Sequence, residues 1–311
     1  MIKSTEKELQ ENKTRRDCIL CGSNNYIYFI KIPEFGVLKC MGCGLIQSQL
    51  YGYVHCLKDG YKSINLVAYE KYFKKMREKS YKRCIKTLRG YFPNKGKILD
   101  IGCATGWFLK DMQSKGWDIC GIEPSRTMIK YAKDKLGLDI INTDLENLNL
   151  PKSCFDVVTM WDVLEHIPRP DIQLSKTKKM LKKNGLLIIK VPDIEGIIPQ
   201  IAILLYKTTL GNFRLPVRIL FNTYEEYPHL FYFSKTTLFD LIKKAGFEII
   251  KINHECAIET DGLIDKKPLF KSKFLKNEVI ISIITEAIKS LNKISEIFNK
   301  KDSITIYCRK I

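Results

Sequence analysis

One short stretch, residues 99–107, constrains the fold of this chain more than any other part of the sequence. Its first residues end an apolar strand. The small residues Gly102, Ala104 and Gly106 follow, and an apolar helix then begins. Small residues let a ligand approach the backbone, and glycine also allows the positive φ that such turns need. A strand-turn-helix of this kind forms the ligand crevice at the carboxyl edge of a doubly wound sheet. The stretch therefore predicts an α/β fold with a ligand at that edge.

The spacing of the small residues argues against a dinucleotide as the ligand. A dinucleotide-binding turn reads G-x-G-x-x-G, whereas here Asp100 precedes a G-x-A-x-G turn. Glu123 ends the next apolar strand, where an acid can hold ribose hydroxyls. On these residues the chain resembles the class I S-adenosylmethionine (SAM)-dependent methyltransferases, whose first motif reads D-x-G-x-G-x-G, with Ala104 in the place of the middle glycine. The resemblance implies a Rossmann-like methyltransferase sheet and SAM as the methyl donor.

Further segments follow in the order that this resemblance implies. Asp144 comes after the third strand, where the family often places an acid near the adenine. Residues 155–167 resemble the fourth motif, a buried strand followed by a polar turn, and residues 181–192 include a buried fifth strand. The cofactor-binding residues expected from the resemblance are Asp100, Gly102, Cys103, Ala104, Gly106, Glu123, Pro124, Asp144, Leu145, Trp161 and Asp162.

Two C-x-x-C pairs stand near the start of the chain. Cys18 and Cys21 form the first pair, and Cys40 and Cys43 form the second. Four thiolates at this spacing are typical of a structural zinc ribbon with no open coordination position. A module this small has little core, so the metal would supply much of its folding free energy. Disulfides or a redox role are the alternatives to a structural Zn²⁺.

The patterns divide the chain into four parts. We expect a flexible tail over residues 1–16, a zinc-ribbon module over 17–57 and a helical connector of one or two helices over 58–95. The class I methyltransferase domain then covers residues 96–311, with an α-helical, acceptor-side insertion over 195–235.

Composition limits the compartment and the partners. The start of the chain lacks the apolar core of a signal peptide, and the eleven cysteines are an odd number, which favours a reducing, cytoplasmic location. The net charge of +18 fits an enzyme that faces a polyanion, and it equally fits lysine-rich solvated helices. Residues 277–299 repeat apolar side chains at helical spacing, which leaves open docking on the sheet, a homodimer contact or peripheral membrane contact.

The acceptor side is predicted from residues 229–234, which read H-L-F-Y-F-S. This segment is similar to one in zinc-ribbon-bearing methyltransferases of sugar and polysaccharide pathways, where the histidine faces the acceptor pocket. Histidine suits proton removal from a hydroxyl acceptor near neutral pH. The catalytic candidates are His229, His166 and Tyr227, and the alternative for His229 is a structural histidine at a helix entry.

The resemblance implies a SAM-dependent methyltransferase that methylates oxygen or nitrogen of a sugar or glycan in polysaccharide or glycoconjugate biosynthesis. Pro228 before His229 departs from the Glu-His pair of sugar carbon-methyltransferases and argues against carbon methylation. Three alternatives remain open. They are an rRNA or tRNA methyltransferase, a lipid or quinone-precursor methyltransferase at a membrane, and a non-catalytic zinc-ribbon interaction protein.

Overall fold

The computed structural model describes most of the chain. The tail predicted over residues 1–16 and the candidate Tyr227 lie outside the described part. The described residues are 17–33, 35–49, 66–221, 229–256 and 277–311.

A seven-stranded sheet is the centre of the fold. Five of its strands run parallel to one another, and a sixth lies antiparallel between the last of these along the chain and the seventh. The carboxyl ends of five parallel strands therefore meet along one edge. In spatial order the strands are β10 (Phe247–Glu255), β11 (Ser303–Lys310), β8 (Leu181–Pro192), β7 (Phe155–Trp161), β4 (Lys97–Ile101), β5 (Asp118–Glu123) and β6 (Ile141–Asn142).

Helices cover both faces of this sheet, because successive strand residues point to opposite sides. Helices α1 (Leu66–Tyr91) and α2 (Trp107–Gln113) pack on the face that includes Ile98. Helices α4 (Pro170–Met180) and α7 (Lys235–Lys244) pack on the face that includes Leu99. The doubly wound α/β class predicted from residues 99–107 is confirmed, and the connector is one helix, α1, over its described part.

The remaining helices include the predicted α-helical insertion. Two of them, α5 and α6, lie inside residues 195–235, as the sequence predicts. Ser234 caps α7, accepting a hydrogen bond from the backbone N–H of Thr237, as expected for an N-cap. Among the described residues, no helix has the length and apolarity needed to cross a membrane. The helices are α3 (Arg126–Tyr131), α5 (Ile197–Thr208), α6 (Leu215–Leu220) and α8 (Glu278–Ile297).

A second, four-stranded sheet contains the cysteine pairs. Between the two pairs lies a hairpin of β1 (Tyr26–Ile32) and β2 (Phe35–Cys40), and β3 (Ile46–Ser48) pairs with β2. Its fourth strand, β9 (Phe231–Tyr232), comes from the acceptor-side segment and pairs with β3. The sequence does not predict this pairing, which joins the ribbon directly to the segment that contains His229.

Candidate active site

The turn after β4 adopts the backbone conformation that its small residues predict. Gly102 has φ +66°, Ala104 φ +48° and Gly106 φ +82°. A Cβ on Gly102 would lie 2.7 Å from Val163 Cγ2, and one on Gly106 would lie 2.7 Å from Leu138 Cδ1. Both positions therefore require glycine. Ala104 accepts left-handed backbone at a cost of about 1 kcal/mol, which explains why the family motif has glycine there.

Glu123 connects this turn to the one after β5. Its Oε2 accepts a hydrogen bond from the backbone N–H of Ala104 at 3.0 Å, and its Oε1 accepts one from Ser125 at 2.9 Å. The side chain is buried, and burial raises the pKa of Glu123 to about 7. A carboxylate has about four acceptor sites, so two remain that could receive the ribose hydroxyls of a nucleoside.

Two aspartates flank the same edge in different environments. Asp100 is 2% exposed, accepts a hydrogen bond from Thr159 Oγ1 at 2.6 Å, and has its pKa raised to about 7 by burial. Asp162, in the turn after β7, has φ +55° and lies 3.0 Å from Arg77 Nε. Burial opposes ionisation of Asp162, yet the nearby positive charges of Lys190 and Arg77 hold its pKa below the usual range.

Helix α1 lies across this edge, which the sequence did not predict. Lys74 Nζ lies 3.3 Å from the centre of the Trp107 ring, and Arg77 pairs with Asp162. The Tyr81 ring lies 5.0 Å from that of Trp161. Lys74, Arg77 and Tyr81 have the spacing of one helix face. Cations on the same face as a core tyrosine are the signal that could have identified Arg77.

The other predicted cofactor residues lie around the same turns. Asp144 Oδ1 accepts a hydrogen bond from the backbone N–H of Asn147 at 2.8 Å, and Leu145 beside it is buried. Trp161 is 3% exposed, and its buried indole N–H has no hydrogen-bond partner among the described residues. The carbonyl of Pro124 accepts a hydrogen bond from Asn142 at 3.0 Å, and Cys103 is buried inside the first turn.

The acceptor candidates lie one turn beyond Asp162. A 3-10 turn, Leu164–His166, follows β7, and the His166 and His229 rings meet edge to face at 4.7 Å between centres. The backbone N–H of Leu230 donates to the carbonyl of Glu165 at 2.8 Å and fixes the two segments together. The structure therefore brings together two of the three predicted catalytic residues.

The charge state of this cluster follows from its burial. Burial lowers the pKa of His229 to about 3, so its imidazole is neutral at physiological pH. Glu165 is 1% exposed, and neither of its carboxylate oxygens has a partner from another described residue. Burial, together with the charge of Asp162, raises the pKa of Glu165 well above its usual range. The ligand atoms of Glu165, His166 and His229 lie within 4.8 Å of one another, and such a set can hold a divalent ion.

The four predicted cysteines of the ribbon form one cluster. Their Sγ atoms lie within 4.8 Å of one another, with Cys18 3.6 Å from Cys43 and Cys21 3.6 Å from Cys40. These separations are too long for disulfides, whose S–S bond is about 2.05 Å. Zn–S bonds of about 2.3 Å in a tetrahedron place neighbouring sulfurs about 3.8 Å apart. The cluster therefore fits a zinc ion.

Comparison with known families identifies the class of enzyme. Residues 72–252 match the family described as a methyltransferase domain. Because this match covers more than half of the chain, the protein belongs to that family. It is a class I SAM-dependent methyltransferase with a Rossmann-like sheet.

Two curated relatives match this chain, one over a short region and the other over a longer region at lower identity. A ubiquinone biosynthesis O-methyltransferase of Bradyrhizobium diazoefficiens is 34% identical over 98 residues, which are 30% of this chain and 38% of that protein. An uncharacterised protein of Methanocaldococcus jannaschii is 27% identical over 198 residues, 64% of this chain and 85% of that protein. The chain thus spans about two fifths of the length of the ubiquinone-pathway relatives that it matches.

Two similar solved structures are described as methyltransferases. A SAM-dependent methyltransferase of Archaeoglobus fulgidus is 21% identical, with a TM-score of 0.48, and the match covers 79% of this chain and 100% of that one. A possible histamine N-methyltransferase of Thermotoga maritima is 19% identical, with a TM-score of 0.49, covering 79% of this chain and 96% of that one.

The raised pKa of Asp100 predicts a stability that depends on pH. Between the ordinary value near 3.8 and the folded value of about 7, the folded chain binds more protons than the unfolded chain. Stability should therefore fall as pH rises through this window, by about 1.4 kcal/mol per pH unit from this group. Asp100→Asn keeps the acceptor for Thr159 and should reduce that slope.

Urea unfolding between pH 5 and pH 8 measures this effect. The control is Asp139→Asn, because the Asp139 side chain is 96% exposed. An Asp100→Asn profile that is parallel to that of the wild type would contradict the assignment of a protonated Asp100.

Proposed function

We propose that this methyltransferase transfers the methyl group of SAM to a hydroxyl oxygen of a small aromatic acceptor of the quinone-precursor type. The observation that carries the proposal is the neutral His229, which lies against His166 one turn beyond the donor-side Asp162. The names of the relatives support an O-methyltransferase of ubiquinone biosynthesis.

Donor binding is assigned to the edge formed by β4, β5, β6 and β7. Glu123 would hold the ribose, Asp144 the adenine side, and the glycines of the β4 turn would allow close approach to the backbone. Bound SAM supplies a methyl group on a positively charged sulfonium. The ionised Asp162 favours a cation at this edge, because opposite charges within a few ångströms attract strongly where water is excluded.

Acceptor activation is assigned to His229 and His166. As the acceptor oxygen forms its bond to the methyl carbon, the bond from that carbon to sulfur breaks. The acceptor O–H also breaks, and its proton passes to the neutral imidazole of His229 and then to solvent. The balance is one methyl group transferred and one proton released. Alignment of the two reactants supplies most of the acceleration that the protein can give.

The low basicity of His229 favours an aromatic hydroxyl over a sugar hydroxyl. An imidazole with a pKa of about 3 is a weak base and acts best on an acceptor that loses its proton readily. Phenols ionise near pH 10, whereas an aliphatic hydroxyl ionises much closer to the value of bulk water, about 15.7. The expected acceptor is therefore a ring hydroxyl and not the sugar or glycan that the sequence resemblance implies.

The ribbon is the second part of the proposal. We assign Cys18, Cys21, Cys40 and Cys43 as ligands of one structural Zn²⁺, because their sulfur separations fit tetrahedral thiolate coordination. With four thiolates the ion has no open position, so no step of methyl transfer is assigned to it.

The donor assignment predicts weaker SAM binding by Glu123→Gln. The substitution places an amide where both backbone N–H groups and the ribose need acceptors, and lost charge-assisted hydrogen bonds should weaken binding by roughly 10- to 100-fold. Titration calorimetry measures this affinity, with the exposed Asp139→Asn as the control. Unchanged affinity in folded Glu123→Gln would remove Glu123 from the donor site.

The acceptor assignment predicts selectivity for ring hydroxyls. Transfer of labelled methyl from SAM should show the highest kcat/KM with a dihydroxybenzoate. It should be lower with a nucleotide sugar and with an unmodified transfer RNA transcript. A preference for the sugar would restore the glycan acceptor, and a preference for RNA would restore the nucleic-acid alternative.

The role of His229 predicts a loss of turnover without a loss of donor binding. His229→Asn should lower kcat by roughly 10²- to 10⁴-fold, the range of general acid–base catalysis, and leave the SAM affinity unchanged. Because the pKa of His229 is about 3, the wild-type rate should show no acidic limb from this residue above about pH 5. The matched control is His254→Asn, on β10. Full activity of His229→Asn would exclude His229 as the base.

The zinc assignment predicts metal content directly. The purified full chain should contain one zinc ion, and Cys40→Ser should lose it, because Cys40 is a fully buried member of the set. Cys154→Ser, a half-buried cysteine outside the ribbon, should retain it. Elemental analysis measures both, and equal zinc in the two variants would refute the assignment.

A further inference from the structure

The ribbon and the acceptor-side segment form one hydrogen-bonded sheet, in the order β1-β2-β3-β9. Strand β9 begins two residues after His229. Ile46 pairs with Tyr232, and Gln47 pairs with Phe231. Beyond these pairs, the backbone N–H of Ser48 donates to the carbonyl of Leu230 at 2.8 Å. The backbone immediately after His229 is thus bonded to the ribbon.

Leu230 is also hydrogen-bonded to the turn that follows β7. Leu230 donates its backbone N–H to the carbonyl of Glu165 at 2.8 Å and is 1% exposed. Its two backbone groups therefore connect β3 to the turn that contains Glu165 and His166. The hydroxyl of Tyr232 adds a hydrogen bond to the carbonyl of His229 at 3.1 Å. Since His229 precedes Leu230, the position of β3 determines where its ring lies.

The cysteine cluster in turn determines the position of β3. Strand β2 ends at Cys40, and β3 begins three residues after Cys43. The turn between them is closed by Cys40 N–H donating to the Leu45 carbonyl and by Gly44 N–H donating to the Cys40 carbonyl, both at 2.9 Å. Strand β3 has only three residues, and it is hydrogen-bonded to β2 on the side opposite β9. Without a metal, no bond would hold the four sulfur atoms together, and this turn would lose that constraint.

We propose that the cysteine ribbon positions His229 through β3 and Leu230, so that loss of its metal displaces the imidazole and slows methyl transfer while SAM binding persists. This inference rests on the proposed role of His229. The donor residues Glu123 and Asp100 make no hydrogen bond to the ribbon among the described residues. The hydrogen bonds from β3 to β9 and to Leu230 lie on the acceptor side.

The test uses the full chain labelled with ¹⁵N-histidine. The sequence has only four histidines, so the imidazole spectrum is simple, and His229→Asn and His166→Asn assign two of its signals. Zinc is removed by a chelator, or by Cys43→Ser, with Cys154→Ser as the cysteine control. We expect the His229 and His166 signals to shift or broaden and the His254 signal on β10 to stay. The SAM affinity should be unchanged, and kcat should fall on the order of 10²-fold, as for a misplaced catalytic group.

A second variant breaks the hydrogen bond between β3 and Leu230 and leaves the four cysteines of the metal site intact. Ser48→Pro removes the backbone N–H that donates a hydrogen bond to the carbonyl of Leu230. It should retain zinc and still displace the His229 signal, even if Cys43→Ser fails to fold. Unmoved His229 signals in the zinc-free chain and in Ser48→Pro would overturn the inference. Loss of SAM binding together with zinc would overturn it as well, since the ribbon would then support the whole fold. If His229 moves but His229→Asn is fully active, the proposed function fails and the positioning stands.

Discussion

Burial of acidic side chains along one sheet edge is the constraint on which the rest of this structure depends. Asp100, Glu123 and Glu165 are at most 5% exposed, and Asp162 lies among them. An ionised carboxylate in such a place costs several kcal/mol unless it is paired or hydrogen-bonded. These four side chains avoid that cost in different ways. Glu123 uses two backbone amides, Asp162 uses Arg77, and Asp100 and Glu165 favour the protonated form.

This constraint explains two features that packing alone does not require. Arg77 reaches Asp162 only because α1 crosses the ends of β4 and β7. Lys190 is 2% exposed within β8, where a lysine is tolerated because it faces the same acids. Even with these two cations the edge has more acids than bases. A sulfonium donor would bring a positive charge to this edge, which would favour the ionised forms of Asp100 and Glu123.

The parts predicted well from sequence depend on local geometry. The turn from Asp100 to Gly106 needs left-handed backbone and must let a ligand come close to that backbone, and few residue types allow both. Glu123 follows from the regular alternation of parallel strands and helices. Arg77 was missed because its helix read as a lysine-rich connector. The pairing of β9 with β3 was missed because it joins residues about 185 positions apart through only two pairs, and a two-residue strand has no periodicity to detect.

The acceptor side shows how burial changes the chemistry expected of a predicted residue. The sequence favours His229 as a base because histidine ordinarily titrates near neutral pH. In the structure, burial removes that property and leaves a neutral, weakly basic ring. Such a ring contributes more by where it accepts a hydrogen bond than by how strongly it binds a proton. Its placement then depends on the backbone of Leu230, fixed between Ser48 and Glu165. A site that relies on placement gains from a rigid neighbouring sheet, which is a reason for a methyltransferase to hold a ribbon against its acceptor segment.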